Sequence, residues 1–156
     1  AGILAVDRSA EAVRSAQRNF RLNGEDPERH DWLVDDCFEV LDRLAGEGRR
    51  FGVVILDPPS LAKDRESRPS AERAYVRLNR QALKCVEPGG FLASASCTSQ
   101  VSAEAFREVL AEAARLSGRR LLIVHEAGQP LDHPIPASFP EARYLKFVVS
   151  RVLPLA

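Results

Sequence analysis

The chain contains no methionine at all. A gene product starts with that residue (sometimes removed) and rarely opens inside a strand. Ala1-Gly2-Ile3-Leu4-Ala5-Val6 already reads as one, so the expectation is a piece lacking its amino-terminal part. No apolar run is longer than a strand, so none of these segments could span a bilayer. The three cysteines, Cys37, Cys85 and Cys97, have no C-x-x-C or similar ligand spacing, and no metal site is expected. An odd count without a framework points to reduced thiols and a cytoplasmic setting. Charge of neither sign dominates: 22 basic and 22 acidic residues leave a formal net charge of zero. Nucleic-acid binders usually carry a basic surplus, so any RNA contact must be local or provided elsewhere. What remains, over 156 residues, is enough for one domain with a real core.

Strand and helix patterns alternate, which predicts an α/β fold with a mostly parallel sheet. Residues 2–7 read as a strand, Ser9 as a helix N-cap, and Val13, Ala16 and Phe20 as a buried stripe ending at Asn23-Gly24. Trp32-Leu33-Val34 is a short strand. Cys37, Val40, Leu41 and Leu44 follow at helical spacing. Phe51 to Leu56 is an apolar run ending in Asp57-Pro58-Pro59-Ser60, which reads as a strand buried on both faces. The charged stretch 63–73 reads as a solvated loop or a flap over a site. A helix then carries Tyr75, Leu78, Ala82 and Val86, stopped by Glu87-Pro88-Gly89-Gly90. Gly90 to Ala95 is a strand opening into Ser96-Cys97-Thr98, and Phe106, Val109, Leu110 and Ala113 mark another helix ending at Gly118. Leu121–Val124 and Tyr144–Val152 have no helix between them, which predicts an antiparallel pair. No repeat or second domain is evident.

In open α/β sheets ligands bind outside the carboxyl ends of the strands. Asp57 and Cys97 both follow strands and point to one cleft. The two prolines hold Asp57 in a rigid extended turn, where a carboxylate can pair with a ring nitrogen or amino group. Cys97 reads either as a small buried hydrophobe or, in the hydroxyl-rich company of Ser94, Ser96, Thr98 and Ser99, as an activated thiolate. Asp7 is either a turn residue or an acceptor for ribose hydroxyls. Asp36 is either an N-cap or an acceptor for an adenine amino group, with a neighbouring backbone N–H donating to the ring. His133 and Glu141 are candidates for proton transfer or substrate positioning, although loop solvation explains most charges there. His30 and His125 look incidental.

Asp-Pro-Pro at 57–59, Ser-Cys-Thr at 96–98, Asp-His-Pro at 132–134 and Phe-Pro-Glu-x-x-Tyr-Leu-Lys at 139–146 occur in order. With Asn19, Leu22, Asn23, Tyr75 and Asn79, they make the chain resemble the RlmI-like methyltransferases from about Val6 to Lys146. Those are class I S-adenosylmethionine-dependent enzymes that methylate carbon 5 of a cytosine in large-subunit ribosomal RNA. The resemblance implies a Rossmann-like methyltransferase sheet whose carboxyl-terminal strand is antiparallel, with the first strand and Gly-rich loop lying upstream of Ala1. Residues 1–156 would then be a partial methyltransferase domain, inactive alone.

The resemblance further implies cofactor contacts from Asp7, Asp36, Cys37, Asp57 and Pro58, with Cys97 as nucleophile and Asp57 facing the base. Pro59, Ser60, Tyr75, His133 and Glu141 would position substrate. Ribosomal RNA is the implied partner, with an RNA-binding PUA domain further upstream, a homodimer as one possible assembly, and no membrane. Two positions depart from the family pattern: Ser60 and Val76 stand where lysine is usual. Two other readings compete, an amino-group methyltransferase on a nucleic-acid base, which would not need Cys97, and a non-catalytic RNA-binding remnant. A nicotinamide dehydrogenase would explain Asp7 but neither Asp-Pro-Pro nor the thiol.

Overall fold

The computed structural model describes residues 2–62, 64–139 and 142–155. They form two compact units, residues 1–47 and 48–156. In the first unit, β1 (Leu4–Asp7) and β2 (Asp31–Val34) pair in parallel, with Asp7 opposite Val34. Between them runs α1 (Ala10–Leu22). Its N-cap Ser9 accepts from the Ala12 amide at 3.2 Å, and Gly24 closes it at φ 77°. Backbone of that hand suits glycine, which has no Cβ to clash. After β2 comes α2 (Cys37–Gly46), which buries Val40, Leu41 and Leu44, the stripe expected from their spacing. His30 belongs to packing: its ring meets Phe20 edge-on at 5.1 Å, and Phe20 meets Trp32 at 5.0 Å.

The second unit is a four-stranded sheet of order β3-β4-β6-β5. β3 (Phe51–Leu56) and β4 (Val86–Ser96) are parallel, while β6 (Lys146–Pro154) runs antiparallel to both β4 and β5 (Arg119–Ala127). The antiparallel pairing expected for the last two strands is present, with β6 inserted between β5 and β4. Two helices complete the unit, α3 (Arg68–Lys84) and α4 (Ala103–Ser117). Their apolar faces share a core of Ala71, Tyr75, Phe106, Val109 and Leu110 with Val148 of β6. Tyr75 and Phe106 meet edge to face at 5.6 Å, a geometry that aligns ring quadrupoles.

Three expectations need correction. β3 is not buried on both faces: Val53 and Ile55 are 57% and 69% exposed, while Leu56 is buried. Among the described strands β3 pairs with β4 only, which is an edge position rather than an enclosed one. The charged stretch is only partly loop, because α3 begins at Arg68. Finally, Val86 is not helical and Glu87-Pro88-Gly89-Gly90 does not precede the strand. All of these residues lie within β4, where the register jumps from Phe51↔Val86 to Val53↔Phe91. Pro88 and Gly89 are accommodated in this irregularity, and Gly90 is required by close approach: a Cβ there would sit 2.6 Å from the Gly52 carbonyl oxygen.

Candidate active site at the strand ends

In the first unit the carboxyl ends of β1 and β2 lie side by side, tied by the Asp35 amide donating to the Asp7 carbonyl at 3.1 Å. The exposed Asp7 carboxylate accepts from the Ser9 amide at 2.7 Å. Asp36 caps α2, accepting from the Phe38 amide at 2.8 Å, and its other oxygen lies 3.7 Å from the Arg8 guanidinium. Both carboxylates therefore make the local bonds of a turn or cap, and both stand at the edge where nucleotide ligands bind in such sheets. Burial, reinforced by the neighbouring Asp36 charge, pushes the Cys37 thiol up, so that thiol is protonated near neutrality.

In the second unit the parallel β3–β4 register, with Leu56 opposite Ser94, brings the chain after each strand to one place. The Cys97 thiol approaches the Pro58 carbonyl at 4.0 Å, so Cys97 adjoins the Asp57-Pro58-Pro59 turn across 39 residues of sequence. Asp57, Pro59 and Ser60 are exposed. Ser60 Oγ donates to the Ala62 carbonyl at 2.8 Å, and Thr98 Oγ1 donates to the same oxygen at 3.3 Å. These two hydroxyls tie the Asp57 loop to the Cys97 turn.

Tyr75 joins the same two segments from below. Its phenol oxygen accepts from Ser96 Oγ at 3.1 Å, and a bond to the Leu61 backbone reaches the loop. Burial dominates the phenol and pushes its pKa up, so it is protonated throughout the neutral range. With 0% exposure, Tyr75 supports the site from inside. Much of the hydroxyl-rich context of Cys97 is interior as well: Ser94, Ser96 and Thr98 are buried, whereas Cys97 is half-buried.

His133 lies apart in the loop between β5 and β6, exposed, with its Nδ1 3.1 Å from the Asp132 carboxylate. That contact holds the Asp132 carboxyl below its usual range. Glu141 lies outside the described residues. The residue missed by sequence reasoning is Lys146, buried at the start of β6 and bonded through Nζ to the Thr98 and Tyr144 carbonyls. A lysine opening an apolar strand was the available signal. Beside it lies a cleft of about 730 Å³ lined by Ser99, Ser102, Arg107, Gln129 and Arg143, where Arg107 makes a two-pronged pair with Glu126 at 2.7 Å. Among the described residues no group of three or more His, Cys, Asp or Glu could hold a metal ion, and no helix is long and apolar enough to cross a membrane.

No protein-family model matches the chain. A ribosomal RNA large subunit methyltransferase of Deinococcus radiodurans is 46% identical over 146 residues, 94% of this chain. A ribosomal RNA large subunit methyltransferase I of Shewanella denitrificans is 37% identical over 152 residues, 97% of this chain. The chain spans 35% and 38% of the lengths of these relatives. Among solved structures, a Streptococcus mutans protein assigned as an S-adenosylmethionine-dependent methyltransferase matches 94% of this chain and 37% of its own at TM-score 0.77 and 18% identity. NSun6 from Pyrococcus horikoshii, solved with SFG, matches 99% of this chain and 42% of its own at TM-score 0.66 and 17% identity. The fold is accordingly the Rossmann-like fold of class I methyltransferases.

Proposed function

We propose that this chain, which belongs to the RlmI-like ribosomal RNA large-subunit methyltransferases, carries the reacting groups for methylating carbon 5 of a cytosine in that RNA. The observation that carries the reading is the meeting of Cys97 with the Asp57-Pro58 turn, 4.0 Å from thiol to carbonyl. Asp57 belongs to that exposed turn and Cys97 follows the adjacent parallel strand, so one planar base can be addressed by both.

The cofactor of the proposal is S-adenosylmethionine, and the donor set of the first unit fits its adenosine. Ribose hydroxyls and an adenine amino group are donors, and Asp7 and Asp36 supply carboxylate acceptors at neighbouring strand ends. The Cys37 backbone follows Asp36 and would donate to the ring; the family resemblance implies Asp57 and Pro58 as further cofactor contacts. When bound, the sulfonium supplies an electrophilic methyl group.

Carbon 5 of cytosine is too weak a nucleophile to accept that group unaided. The Cys97 thiolate adds to carbon 6, which places electron density on carbon 5. A proton bridging the Asp57 carboxyl and N3 moves onto N3 as the thiolate adds, and so neutralises the charge that develops on the ring. Once carbon 5 is methylated, its proton leaves to solvent, the thiolate is expelled as the carbon 5–carbon 6 double bond re-forms, and N3 returns its proton to Asp57, which restores the aromatic ring. The target has to be unstacked to enter, so an extruded or single-stranded cytosine is the substrate form. With no net charge on these 156 residues, the proposal assigns most RNA affinity to a PUA domain outside them and places the enzyme in the cytoplasm.

Replacing Cys97 tests the reading most directly. In the complete gene product, Cys97→Ala should reduce methylation of ribosomal RNA to background while S-adenosylhomocysteine binds as before. RNA carrying 5-fluorocytosine should form a covalent adduct only when Cys97 is present, because fluorine cannot leave as the proton does. Undiminished methylation by Cys97→Ala would select the amino-group alternative.

A further inference from the structure

Among the described residues Lys146 is the single charged side chain in the buried class, 7% exposed. It opens β6 directly opposite Ser96 of β4, so it starts one residue away from Cys97 across the sheet. An ammonium has three donors. Two are directed to the carbonyls of Thr98 and Tyr144, which satisfy hydrogen bonds without neutralising charge. The ionisable group acting on it is Cys97, and burial draws its pKa down to about 8. An ammonium taken out of water without a counter-ion costs folding free energy. A cation beside a thiol favours the thiolate.

We infer that Lys146 is a positioning residue for Cys97: it holds the Ser96-Cys97-Thr98 turn through the Thr98 carbonyl and is the counter-ion of the thiolate. The thiol proton departs to solvent, the Lys146 ammonium keeps its own protons, and the freed sulfur lone pair forms the bond to carbon 6. The inference rests on the nucleophile proposed above. Other ionisable groups around this end of the sheet are Asp57 after β3, Tyr75 on α3, and Glu104, Arg107, Glu126 and Arg143 along the adjoining cleft. All are common to the variants compared below.

The test is alkylation by iodoacetamide from pH 6.5 to 9.5, followed cysteine by cysteine by peptide mass mapping, with neither cofactor nor RNA required. Lys146→Met should slow alkylation of Cys97 near pH 7 by about tenfold, because the cation that favours the thiolate is removed. Cys37 serves as the unchanged internal reference. Lys146→Arg, which keeps the charge, should restore the rate to within about threefold. An unaltered Cys97 rate in a cooperatively folded Lys146→Met chain would overturn the inference.

Exposure of the buried Cys85 to the reagent would reveal an unfolded variant. The decision then passes to the reciprocal experiment, NMR titration of the Lys146 side chain. In Cys97→Ser it should titrate at lower pH than in the unsubstituted protein, because the thiolate that favours the ammonium is gone. An unmoved titration would overturn the inference. Failure of the nucleophile reading shows separately, as methylation that survives Cys97→Ala.

Discussion

The two units build their strand-end groups by opposite means. In the first, Asp7 bonds an amide two residues ahead and Asp36 another two residues ahead, so each carboxylate is oriented by its own turn. In the second, Cys97 reaches Pro58 across 39 residues, Ser96 reaches Tyr75 across 21, Thr98 reaches Ala62 across 36, and Lys146 reaches Thr98 across 48. Groups set by local turns can be altered one at a time. Groups set by long-range bonds depend on a packed core and on one another, as contacting residues in a network usually do.

The largest effect that would sharpen this contrast is at Tyr75. Tyr75→Ala removes a fully buried ring that packs on Phe106, and should cost about 3–5 kcal/mol of stability. Tyr75→Phe keeps the ring and loses the hydroxyl, for about 1 kcal/mol, and should loosen the Cys97 turn by freeing Ser96. Urea unfolding gives both numbers. Equal costs would mean that the ring packing contributes little.

A smaller effect is expected in the first unit. Asp36→Ala should weaken S-adenosylhomocysteine binding in the complete gene product by about 1.5–3 kcal/mol, the loss of one charged hydrogen bond. It should also cost about 0.5–2 kcal/mol of stability through the lost cap of α2. Asp7→Ala should weaken binding comparably. Neither should change the rate at which Cys97 is alkylated. Calorimetry and the alkylation assay together decide; unchanged affinity in both variants would remove the adenosine assignment.

The smallest effect concerns pH. Burial lowers Lys146 to about 8 in the folded chain, against about 10.4 for an unfolded lysine. Between those values the unfolded chain binds the extra proton, so stability should rise as pH increases from about 8 toward 10. The Tyr75 phenol, raised by burial, acts oppositely, and its contribution falls away once pH passes the ordinary tyrosine range near 10. Lys146→Met should remove the rise. A parallel pH dependence in both proteins would place the origin elsewhere.

Helices and their ends were legible because their causes lie within a few residues. Ser9 caps α1 with its own hydroxyl, Gly118 ends α4 in the left-handed region, and apolar stripes at helical spacing mark the buried faces. Reading Val86 as helical failed because residue type at a helix end does not reveal a strand register. The irregularity at Pro88-Gly89 is decided by pairing with β3, more than thirty positions earlier. An enclosed β3 was read from apolarity alone, which cannot count neighbouring strands.

By itself the sequence determined the alternation of elements, the local turns that aim Asp7 and Asp36, and the placement of Asp57 and Cys97 just beyond strands. All of these follow from periodicity, capping and the restricted backbone of proline, which act over a few residues. Only tertiary structure decided that Cys97 meets Pro58, that Tyr75 braces both segments from the core, and that Lys146 lies buried against the carbonyl of Thr98, the residue after Cys97. The physical reason is that burial and strand register depend on what the rest of the chain packs against a residue. The same lysine on a solvated strand would be an ordinary surface cation, and the antiparallel insertion of β6 beside β4 is what encloses it.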